Sequence, residues 1–130
     1  MSDVSILVVD DTFPMARALA FLLGKEGYRC RTAGDGVEAL DMLEAEPADL
    51  IILDIQMPRM DGFEVCRRLR AHPTLCRTYI MVATALGEDA DAARALEAGA
   101  DECIAKPFDP PEVLRRVHRA LSRETADRPS

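Results

Sequence analysis

Ile51-Ile52-Leu53-Asp54-Ile55-Gln56-Met57-Pro58-Arg59-Met60-Asp61-Gly62 is the stretch that decides how this chain is read. It opens on an apolar run, the kind a central parallel strand needs when helices cover both of its faces. The run stops on one carboxylate, Asp54, and a loop carrying Pro58 and Gly62 follows. In open α/β sheets ligands gather outside the carboxyl ends of the strands. A buried strand ending in a single acid therefore presents that acid for chemistry, and Asp54 is read as a nucleophile.

On the amino side of that strand (49–54), residues 5–10 read as a first buried strand ending in Asp10-Asp11. A helix over 13–23 follows, with Pro14 in its first turn and Gly24 or Gly27 as its stop. Residues 28–32 alternate in polarity and suit an edge strand, and 37–46 suit a helix. On the carboxyl side come a helix (62–71), a loop at His72-Pro73, and a strand (79–83) ending at Thr84. A helix over 88–98 closes at Gly99, and a strand (102–105) and a helix (110–123) complete the pattern. Five strands alternating with five helices make a doubly wound α/β fold on a parallel sheet. The domain is expected to span 1–123, with 124–130 a polar tail or the start of a linker.

Asp35/Glu38, Asp61/Glu64 and Asp109/Glu112 each set an Asp three residues before a Glu at a helix start, the spacing of a capping box. These acids are read as structural. The chain has 130 residues, 48% hydrophobic and 30% charged, enough for one domain with a sizeable core. No apolar run approaches the ~18 residues of a membrane span, and no signal segment opens the chain, so a cytoplasmic protein is expected. A net charge of −7 argues against direct nucleic-acid binding. Cys30, Cys66, Cys76 and Cys103 lack C-x-x-C spacing and read as reduced thiols.

Asp10-Asp11, Asp54, Thr84 and Lys106 all stand at strand ends, and parallel strands bring such ends to one edge. Crowded acids repel, so some protonate or a cation neutralises them. Hard oxygen ligands favour Mg²⁺. A carboxylate nucleophile, a metal, a hydroxyl and an ammonium together suit phosphoryl transfer. Taken singly, each residue has a structural alternative: Asp10 or Asp11 caps the first helix, Asp54 is a loop acid, Thr84 a strand end and Lys106 a solvated charge.

With Val8-Val9-Asp10-Asp11, Leu53-Asp54, Met57-Pro58, Met60-Asp61-Gly62, Ala83-Thr84-Ala85 and Lys106-Pro107-Phe108 in order, the chain resembles a response-regulator receiver domain of two-component signalling over residues 3–123. The resemblance implies the flavodoxin-like receiver fold with strand order 2-1-3-4-5. It implies that Asp54 accepts phosphate from a histidine kinase or phosphotransferase, and that a protein partner or output domain reads the change through the fourth helix, fifth strand and fifth helix. It also implies that Asp11, Asp54 and the Gln56 carbonyl bind Mg²⁺ (Mn²⁺ as an alternative), that Asp10 acts mainly through water, and that Thr84 and Lys106 meet the phosphoryl group. Lys106-Pro107 is expected as a cis peptide. No enzymic activity is expected beyond magnesium-dependent self-phosphorylation and slow self-dephosphorylation.

The chain departs from the family at Cys103, where receivers usually carry an aromatic residue that swings on activation. Activation is therefore expected to pass through the loop after Thr84 and the fourth helix. From Phe13 to Leu23 only Arg17 is charged, so part of Phe13, Met15, Ala18 and Leu22 is expected to face outward and dock the phosphate donor. Acids at Glu88, Asp89, Asp91 and Glu97, set against Arg115, Arg116, Arg119 and Arg123, would allow two copies to pair, although solvated faces explain them equally well. Two other classes fit less well. A dehalogenase-type phosphatase wants a second Asp where Gln56 stands, and a flavodoxin-like cofactor binder wants a phosphate-cradling first loop where Asp10-Asp11-Thr12-Phe13 is acidic.

Overall fold

The two most apolar runs, Ile6-Leu7-Val8-Val9 and Leu50-Ile51-Ile52-Leu53, lie side by side at the centre of a five-stranded parallel sheet. A computed structural model describes residues 4–55, 57, 60–85, 89–106 and 109–127, with the backbone alone at 13, 85, 89 and 123–127. The elements are β1 (Ser5–Val9), α1 (Phe13–Lys25), β2 (Arg29–Ala33), α2 (Gly36–Ala45), β3 (Leu50–Asp54), α3 (Gly62–Ala71), β4 (Tyr79–Ala85), α4 (Asp89–Ala98), β5 (Glu102–Lys106) and α5 (Pro110–Asp127). The strand order is β2-β1-β3-β4-β5, as the resemblance implied.

Alternation along the strands divides the core in two. Leu7, Val9, Ile51 and Leu53 pack on one face against Leu43 of α2, Leu69 of α3 and Ala95 of α4. Ile6, Val8, Leu50 and Ile52 pack on the other against Leu19 and Leu23 of α1 and Val113 and Val117 of α5. Every residue of β1 and β3 is buried, whereas β2 at the edge keeps Arg29 exposed. No described helix is long and apolar enough to cross a membrane.

Two of the expected caps form. Asp35 accepts the Glu38 amide at 2.8 Å and Asp61 accepts the Glu64 amide at 3.0 Å, satisfying amides that the first helical turn leaves over. In α5 the Glu112 carboxylate instead takes Arg115 and Arg116. Helix α1 passes through Gly24, and Gly27, at φ +97°, makes the turn into β2.

Helix α5, expected to end at 123, continues to Asp127. Residues 124–127 are polar apart from Ala126 but contain neither glycine nor proline, and Pro129 is the next residue hostile to a helix. Polarity alone does not end a helix whose other side is already packed.

Candidate functional site

The parallel register brings the carboxyl ends of four strands together. Asp54 pairs with Ala83 across β3 and β4, Thr84 with Ala105 across β4 and β5, and Ala85 with Lys106. Asp10 follows directly on β1, its amide bonded to the Ala33 carbonyl at 3.1 Å. The loop after Asp54 folds back, with the Gly62 amide on the Ile55 carbonyl at 2.9 Å. A Cβ at Gly62 would lie 2.8 Å from the Asp54 carbonyl oxygen, so only glycine lets this loop close against the strand end.

Asp54 is 8% exposed, Asp10 5% and Thr84 7%, while Asp11 is open to solvent. Lys106 Nζ stands 2.9 Å from Asp54 Oδ2 and 3.3 Å from Asp10 Oδ2. Asp10 Oδ1 also accepts the Thr12 amide at 2.8 Å, so it shapes the approach to α1 as well as holding the lysine. Burial works against the Lys106 ammonium, but the hydrogen bond and charge of Asp54, helped by Asp10, outweigh it and raise its pKa above the ordinary lysine value.

Asp10, Asp11 and Asp54 each offer a carboxylate oxygen within 4.8 Å of the others, close enough for one small cation to touch all three. Lys106 is the one cation among the described residues lining a cleft of about 320 Å³, which Asp11, Asp54, Thr84 and Asp91 also line. Its one ammonium does not balance the described carboxylates gathered with it. Such a set of oxygen donors suits a hard divalent ion. The structure thus brings Asp10, Asp11, Asp54, Thr84 and Lys106 to one place; Gln56, and the peptide bond to Pro107, lie outside the described residues.

In the sequence Asp91 is one of several acids on the fourth helix, with nothing local to mark it. Its placement follows from Ala95, one turn later on the same side of α4, which is buried against the sheet. Cys103 is half-buried, and its thiol donates to the Ala92 carbonyl at 3.6 Å, tying β5 to α4. The loop 86–88, through which activation was expected to pass, is outside the described residues.

Of the outward positions expected on α1, Met15 (40% exposed) and Ala18 face solvent, Leu22 is partly covered, and the side chain of Phe13 is not described. The most exposed of the described apolar side chains there is Phe21, at 65%, a position outside the expected set. On α5, Arg116 bonds Glu112 of its own helix and Glu102 of β5, so it belongs to the fold more than to a free basic face. The side chains of Glu88, Asp89 and Arg123 are outside the described set. His118 is exposed and meets the Tyr28 hydroxyl at 3.1 Å.

The family model for the response regulator receiver domain matches residues 6–118. The chain is 43% identical over 125 residues to the alkaline phosphatase synthesis transcriptional regulatory protein PhoP of Bacillus subtilis, covering 96% of this chain and 51% of that protein. It therefore spans about half the length of such curated relatives. Among solved structures it resembles the signal receiver domain of a signal transduction histidine kinase from Syntrophus aciditrophicus, with a TM-score of 0.86 and 36% identity over 97% of this chain and 94% of that one. It also resembles the chemotaxis response regulator CheY4 of Vibrio cholerae, with a TM-score of 0.85 and 30% identity over 91% of this chain and 98% of that one. Matching sequence, fold and strand-end residues lead to one conclusion: the chain belongs to the response regulator receiver domain family of two-component signalling.

Proposed function

We propose that this domain is a phosphorylation-activated switch in which Asp54 accepts a phosphoryl group from a histidine kinase or a histidine phosphotransferase. The observation that carries the reading is the convergence of Asp10, Asp11, Asp54 and Lys106 at one strand edge, with Lys106 bonded to the proposed nucleophile. An oxygen of Asp54 attacks phosphorus, the bond from phosphorus to the donor's imidazole nitrogen breaks, and the electron pair stays on that nitrogen. Lys106 exchanges its contact with Asp54 for one with a phosphoryl oxygen, and the Thr84 hydroxyl donates to another.

Asp10, Asp11 and Asp54, with the carbonyl of Gln56, would hold Mg²⁺ or Mn²⁺. Bound there, the ion supplies charge neutralisation for the carboxylates and for the transferred group. The activity is limited to the domain's own phosphorylation and slow dephosphorylation.

Exposed Met15 and Phe21 on α1 give a phosphate donor an apolar surface to dock on. The α4, β5 and α5 face passes the change to a downstream protein or output domain, and charge on α4 and α5 offers a route to pairing of two copies. Four free thiols agree with a reducing, cytoplasmic setting.

Incubation with acetyl phosphate and magnesium, followed by intact mass, tests the acceptor. Wild type should gain one phosphoryl group, Asp54→Asn none, and chelation of the metal should prevent the gain. Equal uptake by wild type and Asp54→Asn would refute the assignment.

A further inference from the structure

Asp91 lines the cleft beside Asp54, yet the phosphoryl transfer described above gives it no task. The residue is half-buried in the first turns of α4. Among the described residues its carboxylate has neither an ion pair nor a hydrogen bond. Arg94, three residues on, is not its partner, because that guanidinium lies 4.0 Å from the centre of the Phe63 ring. Phe63 is itself buried, at 4% exposure, so the arginine rests on a fixed shelf.

Asp91 also lines a second, more open groove of about 610 Å³, shared with Asp61, Phe63 and Arg94. The cleft and the groove have Asp11, Ile55 and Asp91 in common. Water in the groove thus reaches the cleft past an acid that has no hydrogen-bond partner among the described residues. The other groups in the cleft are poorly suited to take a proton from that water. Once phosphorylated, Asp54 is the leaving group. Lys106 is spent as a donor on Asp54 and Asp10, and an ammonium has no acceptor. Asp11 faces the other carboxylates at a spacing made for a cation.

We propose that Asp91 is the base that positions water for hydrolysis of the Asp54 phosphoryl group, and so sets how long the activated state lasts. The inference rests on the reading of Asp54 as the phosphoryl acceptor. Water oxygen attacks phosphorus and the bond to Asp54 breaks, with its electron pair returning to the Asp54 carboxylate. The water proton passes to Asp91, and inorganic phosphate leaves. The proton then returns to solvent along the groove.

The test uses the whole chain. Wild type, Asp91→Asn and Asp91→Glu are phosphorylated with acetyl phosphate and magnesium, the donor is removed, and intact mass follows the loss of the phosphoryl group. Asp91→Asn should still acquire the group but lose it about a hundredfold more slowly, at the low end of what a positioned base supplies. Asp91→Glu, which keeps the carboxylate, should recover most of the lost rate. Decay of Asp91→Asn within about twofold of wild type, well short of that contribution, overturns the proposal, as does equal slowing in Asp91→Glu. Wild type that takes up no phosphoryl group would refute the acceptor role of Asp54 and this inference with it, an outcome told apart because there is no decay to follow.

Discussion

Charge collects at both ends of this sheet, on opposite terms. At the amino ends of the strands Arg70 reaches the Gly99 carbonyl at 2.8 Å, the Cys76 carbonyl at 2.8 Å, the Thr78 carbonyl at 2.6 Å and Asp101 Oδ2 at 2.6 Å. The same Asp101 oxygen accepts the Ile80 amide at the start of β4, so a single cation and a single anion close the cluster. At the carboxyl ends, among the described residues, the carboxylates of Asp10, Asp11 and Asp54 gather beside one lysine. The first cluster is complete in itself and joins α3, α4, β4 and β5. The second, among the described residues, gathers more carboxylate than ammonium. Choice of cation fits the division: a guanidinium is a fixed fork of donors that stays charged, while an ammonium is a mobile point charge able to change partners.

The largest effect expected from this contrast is at the amino end. Arg70→Met keeps the apolar stem but removes four hydrogen bonds, to Asp101 and three carbonyls, and at just under 1 kcal/mol each their loss costs about 3 kcal/mol. Thermal unfolding should fall by roughly 10 °C in a domain of this size. Phosphorylation of the variant, measured well below its unfolding temperature, should persist. A variant as stable as wild type would mean that the Arg70 network fastens nothing.

How far each end could be read from the sequence follows from what fixes it. Asp54, Thr84 and Lys106 were legible because a parallel sheet puts every strand's carboxyl end on one edge, whatever the helices do. Asp35 and Asp61 were legible because a cap is a local device three residues long. Asp91 was not, since its direction depends on the face of α4 that Ala95 buries, and an alanine-rich helix announces no face. Phe21 was missed for the same reason: apolar residues occupy most sides of α1, and only the burial of Ala16, Leu19 and Leu23 shows which way Phe21 points. The Arg70 cluster escaped because it joins residues up to 31 apart through contacts that leave no periodic trace.

A smaller effect separates the two cations by pH. Lys106 has its pKa raised in the folded state, so its contribution is fully present below the ordinary lysine value of 10.5 and is lost as pH rises through the raised one. A guanidinium, unlike an ammonium, does not lose its proton in that range. At pH 7 Lys106→Met should be less stable than wild type by roughly 1–2 kcal/mol, between an exposed pair and a fully buried one. That gap should close above pH 10.5, whereas the gap for Arg70→Met should hold. Buried thiols also titrate there, with Cys66 pushed up to about 12, but they are common to all three proteins and cancel in the comparison. A Lys106→Met gap that ignores alkali would show that the lysine's charge does not hold this edge.

The smallest effect bears most directly on what the carboxyl edge is for. Asp11 is exposed, and its charge faces Asp10 and Asp54 across at most 4.8 Å, a repulsion that water and salt reduce to about 0.5 kcal/mol. Asp11→Asn preserves size and removes that repulsion, so in chelator the variant should be slightly more stable than wild type. An acid whose removal stabilises the fold is kept for something other than folding. Magnesium should reverse the ranking, because an ion that binds only the folded protein stabilises it by mass action, and the variant has lost one of the oxygens that would hold it. Denaturant titrations of both proteins, with chelator and with magnesium, read the two signs separately. A loss of stability in chelator would mean that Asp11 is already balanced, and the contrast between a completed end and an unfinished one would fall.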